Sequence, residues 1–401
     1  MLASKDALYL NGIPMAYESI DQLQKALASS VFGHTEDRKK AAGRALGTLV
    51  EIVTYYLLKQ WGLSHCIAIE RGLPEYKNPG ITHNVEYSLH PVKFAQATTV
   101  SGDDLPVTAR KVSKCFGAEL AHLREFEQKG HALLSKSGIL RNACVLGERA
   151  DVVLVGLIRV LTGGRLELDL VGQFRPPFAI FECKRVGVEE GQRKGPQTIE
   201  KAKQGAYVAR AISCLQKIRV HSGELTGVIS KRDGTLYYKS YEKLIDEVVH
   251  CNDPELLRDF ILTVGIVSNH GNWFTSEDHN KELRVLAQSY DWLLFLTDAG
   301  LVQFVNDLIL SAAPAAKPVR TAFAASYAKG KTENRFTKVQ MDFEADRVLQ
   351  CYFKSNIRQI EGWFNVIAPY DRKRPGKFTI KELKEQIKVL SEKDWNAIFS
   401  K

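Results

Sequence analysis

Apolar residues recur at every third or fourth position between residues 39 and 63. The stretch KKAAGRALGTLVEIVTYYLLKQWGL sets Ala45, Leu46, Leu49, Ile52, Val53, Tyr56 and Leu57 along one side of a helix. Further along, the period shortens. Residues 151–160 and 166–173 are strand-like apolar segments separated by Thr162-Gly163-Gly164, which predicts a hairpin. Residues 178–184 (FAIFECK) follow Arg175-Pro176-Pro177, and that turn predicts a second hairpin closing 166–173 onto 178–184. Short continuous apolar runs at 260–268 (FILTVGIVS) and 292–296 (WLLFL) predict buried strands. Helical spacing covers 198–215, 281–288, 301–310, 342–364 and 379–399. The expected fold class is α/β: a mixed β-sheet core flanked by helices, followed by a mainly helical C-terminal segment.

The predicted second hairpin would set Asp169 opposite Glu182. Strand side chains alternate faces, so Glu182 and Lys184 point one way and Cys183 points back into the protein. Two carboxylates and an ammonium on one sheet face suit Mg²⁺-dependent phosphodiester chemistry. Mg²⁺ takes hard oxygen ligands and keeps several waters, and a lysine beside it can orient or deprotonate the attacking water. Asp151, at the start of the preceding strand, is the rival for the aspartate role. Glu51 lies in the apolar middle of the 39–63 helix, where a charge needs a partner or a metal unless it sits on the exposed arc beside Tyr55.

Asp169 followed by Glu182-Cys183-Lys184 resembles the D…ExK motif of the PD-(D/E)XK nuclease superfamily, to which most type II restriction endonucleases belong. The family's proline before the aspartate is Leu168 here. The resemblance implies a restriction-endonuclease-like fold with Asp169, Glu182 and Glu51 binding Mg²⁺, for which Mn²⁺ would substitute, and Lys184 activating water. It also implies a helix after the ExK strand, with Lys201, Lys203 and Gln204 near a substrate phosphate or on a solvated face. The Q-x-x-x-Y spacing of some branches is one residue short at Gln204 and Tyr207. Implied partners are double-stranded DNA, a second copy of the chain, and a cognate DNA methyltransferase in the host. The expected activity is sequence-specific endonucleolytic cleavage. A structure-directed repair or recombination nuclease and a non-catalytic DNA-binding protein on the same fold remain the alternatives.

Charge sharpens the DNA expectation. The 401 residues carry a formal +9, and residues 313–401 alone hold 18 Lys/Arg against 10 Asp/Glu. A boundary is therefore expected near 312, separating a catalytic domain (1–312, with an insertion at about 64–135) from a basic DNA-contacting segment (313–401). Within that segment Arg372, Lys373, Arg374 and Lys377 beside Tyr370 suit phosphate contact, which counterion release would make salt-sensitive. No apolar run reaches the roughly 20 residues of a membrane helix, so no membrane partner is expected. The seven scattered cysteines form no C-x-x-C pair, and the first residues lack a signal-peptide pattern, which together predict a cytoplasmic protein. Gly330-Lys331-Thr332 lacks the earlier glycine of a P-loop, His270, His279 and Asn280 lack the rest of an HNH site, and neither H-E-x-x-H nor G-x-S-x-G occurs.

Overall fold

In a computed structural model, the described residues are 9–10, 13–14, 20–32, 38–76, 78–187, 196–270, 281–328, 333–369 and 377–400. The elements that position the site are, in chain order, helix α1 (Arg38–Gln60), strands β1 (Ile67–Ile69), β2 (Tyr87–Leu89), β3 (Val92–Ser101), β4 (Val152–Thr162), β5 (Arg165–Phe174) and β6 (Ala179–Gly187), helix α2 (Pro196–Ile212), strands β7 (Leu262–His270) and β8 (Trp292–Leu296), helix α3 (Phe343–Glu361) and strand β9 (Phe364–Ala368). Several sheets and many helices make this a mixed α/β structure.

The central sheet has six strands in the order β9-β8-β7-β6-β2-β1. β1, β2 and β6 form an antiparallel set, β6, β7 and β8 run parallel, and β9 closes the far edge antiparallel to β8. Both faces are covered, as the continuous apolar runs at β7 and β8 require. On one face Ala179, Phe181, Cys183, Leu262, Val264 and Ile266 join the core built by α1, whose Leu46, Leu49, Ile52, Val53, Tyr56 and Leu57 are buried as the helical spacing predicted. On the other face Val267 and Leu293 pack with Ala206 and Ala209 of α2 and with Leu283 and Leu286 of the helix Lys281–Ser289.

β4 and β5 form the predicted hairpin. Their register runs from Val152↔Phe174 to Thr162↔Arg165, and the turn is made by Gly163 and Gly164, both with positive φ. The second predicted hairpin does not form. β5 lies between β4 and β3 in a separate five-stranded sheet, whereas β6 lies between β2 and β7. The Pro-Pro turn carries the chain from one sheet to the other. On its two flanks Phe174 N–H donates to Pro91 O (2.9 Å) and Phe178 N–H donates to Leu89 O (2.8 Å), so both ends attach to residues 89–91 and not to each other. Pro176 and Pro177 have no N–H with which to extend a ladder between them.

Two boundaries also differ from expectation. Residues 64–135 are not wholly an insertion, because β1 and β2 belong to the central sheet. The described residues of 313–400 are mainly helical as expected but share the main core. They supply β9 to the central sheet, and Tyr56 Oη of α1 donates to the buried Asp346 of α3 (2.6 Å). Trp395 stacks on Phe178, next to the start of β6. Among the described residues no single helix is long and apolar enough to cross a membrane. All seven cysteines are free thiols.

Candidate active site

β6 alternates as its sequence predicts. Cys183 turns inward, its Sγ 3.4 Å from Thr54 Oγ1 of α1, and burial pushes its thiol well above the usual range. Glu182 and Lys184 face the other way, with Lys184 Nζ 2.7 Å from Glu182 Oε1. The register Phe181↔Tyr87 brings Glu86, the residue before β2, beside Glu182. Glu86 N–H donates to Glu182 Oε2 (3.2 Å), and Lys184 Nζ also lies 3.7 Å from Glu86 Oε1. Two carboxylates side by side would repel, and the lysine between them offsets that repulsion. The Glu182 side chain is only 6% exposed, and burial raises its pKa against the opposing pull of Lys184.

α2 closes the floor of this arrangement through the absence of a side chain. A Cβ on Gly205 would stand 2.9 Å from Glu182 Cγ and closer still to Tyr290 Oη. Tyr290 is buried, which lifts its phenol well above the usual range, with Glu182 adding to the effect.

A second group of charges adjoins the first. Lys338, just before the strand Gln340–Asp342, is nearly fully buried and ion-pairs with Glu86, with Glu70 Oε1 at 2.9 Å and with Glu51 Oε2 at 3.3 Å. Glu51 is held by its helix, whose backbone carbonyl at that residue accepts from Tyr87 Oη (2.7 Å). Burial raises the Glu51 pKa, and Lys338 opposes the rise. Glu70 sits at φ +49°, in the left-handed region a non-glycine residue seldom adopts. Among the described residues no three His, Cys, Asp or Glu side chains converge as a ready ligand set, and ammonium groups lie among these carboxylates instead.

The residues expected from sequence divide accordingly. Glu51, Glu182 and Lys184 come together. Asp169 does not join them: on β5, in the other sheet, it pairs with His65 Nε2 (3.0 Å) and Arg159 Nε (3.2 Å). The rival Asp151 is half-exposed between Lys93 (2.8 Å) and Arg149 (3.3 Å), and its hydrogen bond from Lys93 holds its carboxyl below the usual range. The displacement of Asp169 follows from the hairpin that did not form, while Asp151 stands beside the start of the hairpin that did. Glu86, Glu70 and Lys338 were not anticipated. Glu86 had a local signal, an acid opening the short apolar strand of NVEYSL. Lys338 had none, because it arrives from a distant part of the chain.

Of the expected DNA contacts, Gln204 is exposed on α2, while the side chains of Lys201 and Lys203 lie outside the described residues. Arg372, Lys373 and Arg374 lie outside them as well. Lys377 ion-pairs with Glu242 and sits 4.6 Å over the Phe378 ring, so it is partnered within the chain. The chain matches no family model, no curated protein and no solved structure.

Proposed function

We propose that this chain is a Mg²⁺-dependent nuclease of the PD-(D/E)XK kind, a type II restriction endonuclease that hydrolyses double-stranded DNA at specific sequences as a homodimer. The observation that carries the reading is the pairing of Glu86, at the entry to β2, with Glu182 on the adjacent strand β6, with Lys184 spanning both. The motif is then Glu86…Glu182-Cys183-Lys184, with Glu86 in the role first given to Asp169. The order α1, β1, β2, β6, α2, β7 supports the same reading. It is a helix, an antiparallel three-stranded set, a helix and a parallel strand, interrupted between β1 and β2 by a two-stranded sheet, between β2 and β6 by the five-stranded sheet and between α2 and β7 by a three-stranded sheet with two helices, and it resembles that family's core.

The donor set fits a hard divalent cation. Glu51, Glu70, Glu86 and Glu182 offer only carboxylate oxygens, and with Lys184 and Lys338 among them two negative charges stand unbalanced. Glu86 and Glu182 would hold the ion, with Glu51 beside them. Bound Mg²⁺ would supply a water of lowered pKa and neutralise charge on the phosphate. Lys184 is one-third exposed, so its ammonium can face both Glu182 and an incoming phosphate. There the ammonium orients the attacking water and stabilises the charge that develops on phosphorus-bound oxygen. The Cys183–Thr54 contact and the methyl-free surface of Gly205 hold Glu182 in place from behind.

The test is to incubate the protein with plasmid and phage DNA in Mg²⁺ and in EDTA. Discrete fragments that need Mg²⁺ are the expected result. A smear or nicking would favour a structure-directed repair nuclease. A second reading, a non-catalytic DNA-binding protein on the same fold, is favoured by Lys338 lying inside the carboxylate group. It predicts a salt-sensitive gel shift on unmethylated DNA with no cleavage in any metal.

A further inference from the structure

We propose that Lys338 is a tethered cation, built into the candidate site in a place a second metal ion would otherwise take, so that the protein binds one divalent ion and binds it less tightly than its carboxylates alone would. The inference rests on the metal-site reading above and adds a residue to it. Lys338 belongs neither to α1 nor to β2 or β6; it enters from the segment before Gln340–Asp342. Its ammonium reaches three carboxylates on three different parts of the chain: Glu51 on α1, Glu70 after β1 and Glu86 before β2. A surface lysine would keep its head in water, but this side chain is 8% exposed.

The segment is anchored through its backbone. Asn142 N–H donates to Val339 O (2.9 Å), and the Asn142 side chain donates to Lys338 O (2.9 Å). Phe336 and Met341 are fully buried on either side. The ammonium is therefore delivered by packed backbone and cannot drift away as a free ion would. Its charge decides the count. With Lys338 in place the four glutamates and two lysines leave two negative charges, which one divalent ion neutralises. Without it three remain. An ammonium and a divalent ion about 5 Å apart repel enough to weaken binding by roughly tenfold even with the dielectric of water.

The experiment compares Mn²⁺ binding, by the loss of the free-ion electron paramagnetic resonance signal, in wild type, Lys338→Met and Lys338→Arg, with thermal unfolding in EDTA and in Mn²⁺ alongside. Lys338→Met is expected to bind Mn²⁺ roughly tenfold or more tightly than wild type. It is also expected to melt lower in EDTA and to regain more stability from Mn²⁺ than wild type does. Lys338→Arg, which keeps the charge, is expected to stay within about threefold of wild type. Should Lys338→Met not fold, the double variant Lys338→Met/Glu70→Gln restores the charge balance and is expected to bind Mn²⁺ within about threefold of wild type. Tenfold tightening in that balanced variant would assign the effect to lost bulk and overturn the inference. Wild type that binds Mn²⁺ with Lys338→Met binding no tighter would overturn the inference alone. No Mn²⁺ binding by any of these proteins would overturn the metal site and the inference together.

Discussion

Gly205→Ala adds one methyl group against Glu182 and Tyr290, and its cost can be worked from two opposing terms. Alanine in a helix interior is more favourable than glycine by about 1 kcal/mol. Against this, the new Cβ would lie 2.9 Å from Glu182 Cγ and nearer to Tyr290 Oη, both on buried residues that cannot simply swing away. Overpacking of this kind costs about 1–3 kcal/mol. The net expectation is a loss of about 0–2 kcal/mol, which is small by itself, so a reference is needed. Gly47 lies on α1, where an added Cβ meets nothing within 4 Å, so Gly47→Ala is expected to stabilise. The quantity to read is the difference between the two variants in urea unfolding, about 1–3 kcal/mol with Gly205→Ala the less stable. Cleavage of supercoiled plasmid should separate them further. Displacing Glu182 by an appreciable part of an ångström is expected to cost about 100-fold in rate, while Gly47→Ala cleaves as wild type does. Equal stabilisation by both substitutions, with cleavage unchanged, would refute the packing of α2 on Glu182 and the positioning argument with it.

Three further outcomes are expected. Glu86→Gln should lower plasmid cleavage by about 100-fold or more, whereas Asp169→Asn, which alters a pair with His65 and Arg159 in the other sheet, should cleave within a few-fold of wild type; the reverse pattern would return the metal-ligand role to Asp169. Burial raises the Glu182 carboxyl above its ordinary 4.5, so the folded state holds that proton more tightly than the unfolded one and stability is lost as pH rises through the raised value. Glu182→Gln in EDTA should accordingly be more stable than wild type at pH 7, with the advantage fading toward pH 4, as read by urea unfolding. Lys217 is buried 3.8 Å from Asp291 and over the Tyr241 ring, and burial lowers its pKa from 10.5 to about 8. The unfolded state then binds the extra proton between those values, so stability should rise with pH across that window, and Lys217→Met should flatten the rise. Asp291 keeps its hydrogen bonds from Tyr241 Oη and Thr263 in that variant, so it is not left without partners.

Local pattern determined much of this protein. The apolar spacing of α1, the hairpin of β4 and β5 around Gly163-Gly164, the buried strand β8 and the inward turn of Cys183 all follow from periodicity and turn chemistry acting over a few residues. Glu51, Glu182 and Lys184 were legible for the same reason, since their neighbours state which face of a helix or strand they occupy. Strand partnership was decided elsewhere. Nothing within 166–184 distinguishes a hairpin from a crossing between sheets, because both use the same apolar strands and the same Pro-Pro turn. The choice was made by residues 89–91, whose carbonyls take the N–H groups of Phe174 and Phe178. That long-range contact moved Asp169 away from Glu182 and set Glu86 in its place. The basic character of residues 313–401 likewise suggested a separate arm, yet net charge says nothing about packing, and Asp346, Ile360 and Trp395 are buried in or against the main core. Lys338 is the clearest case: its meeting with Glu51, Glu70 and Glu86 joins parts of the chain that only the folded backbone brings within reach of one ammonium group.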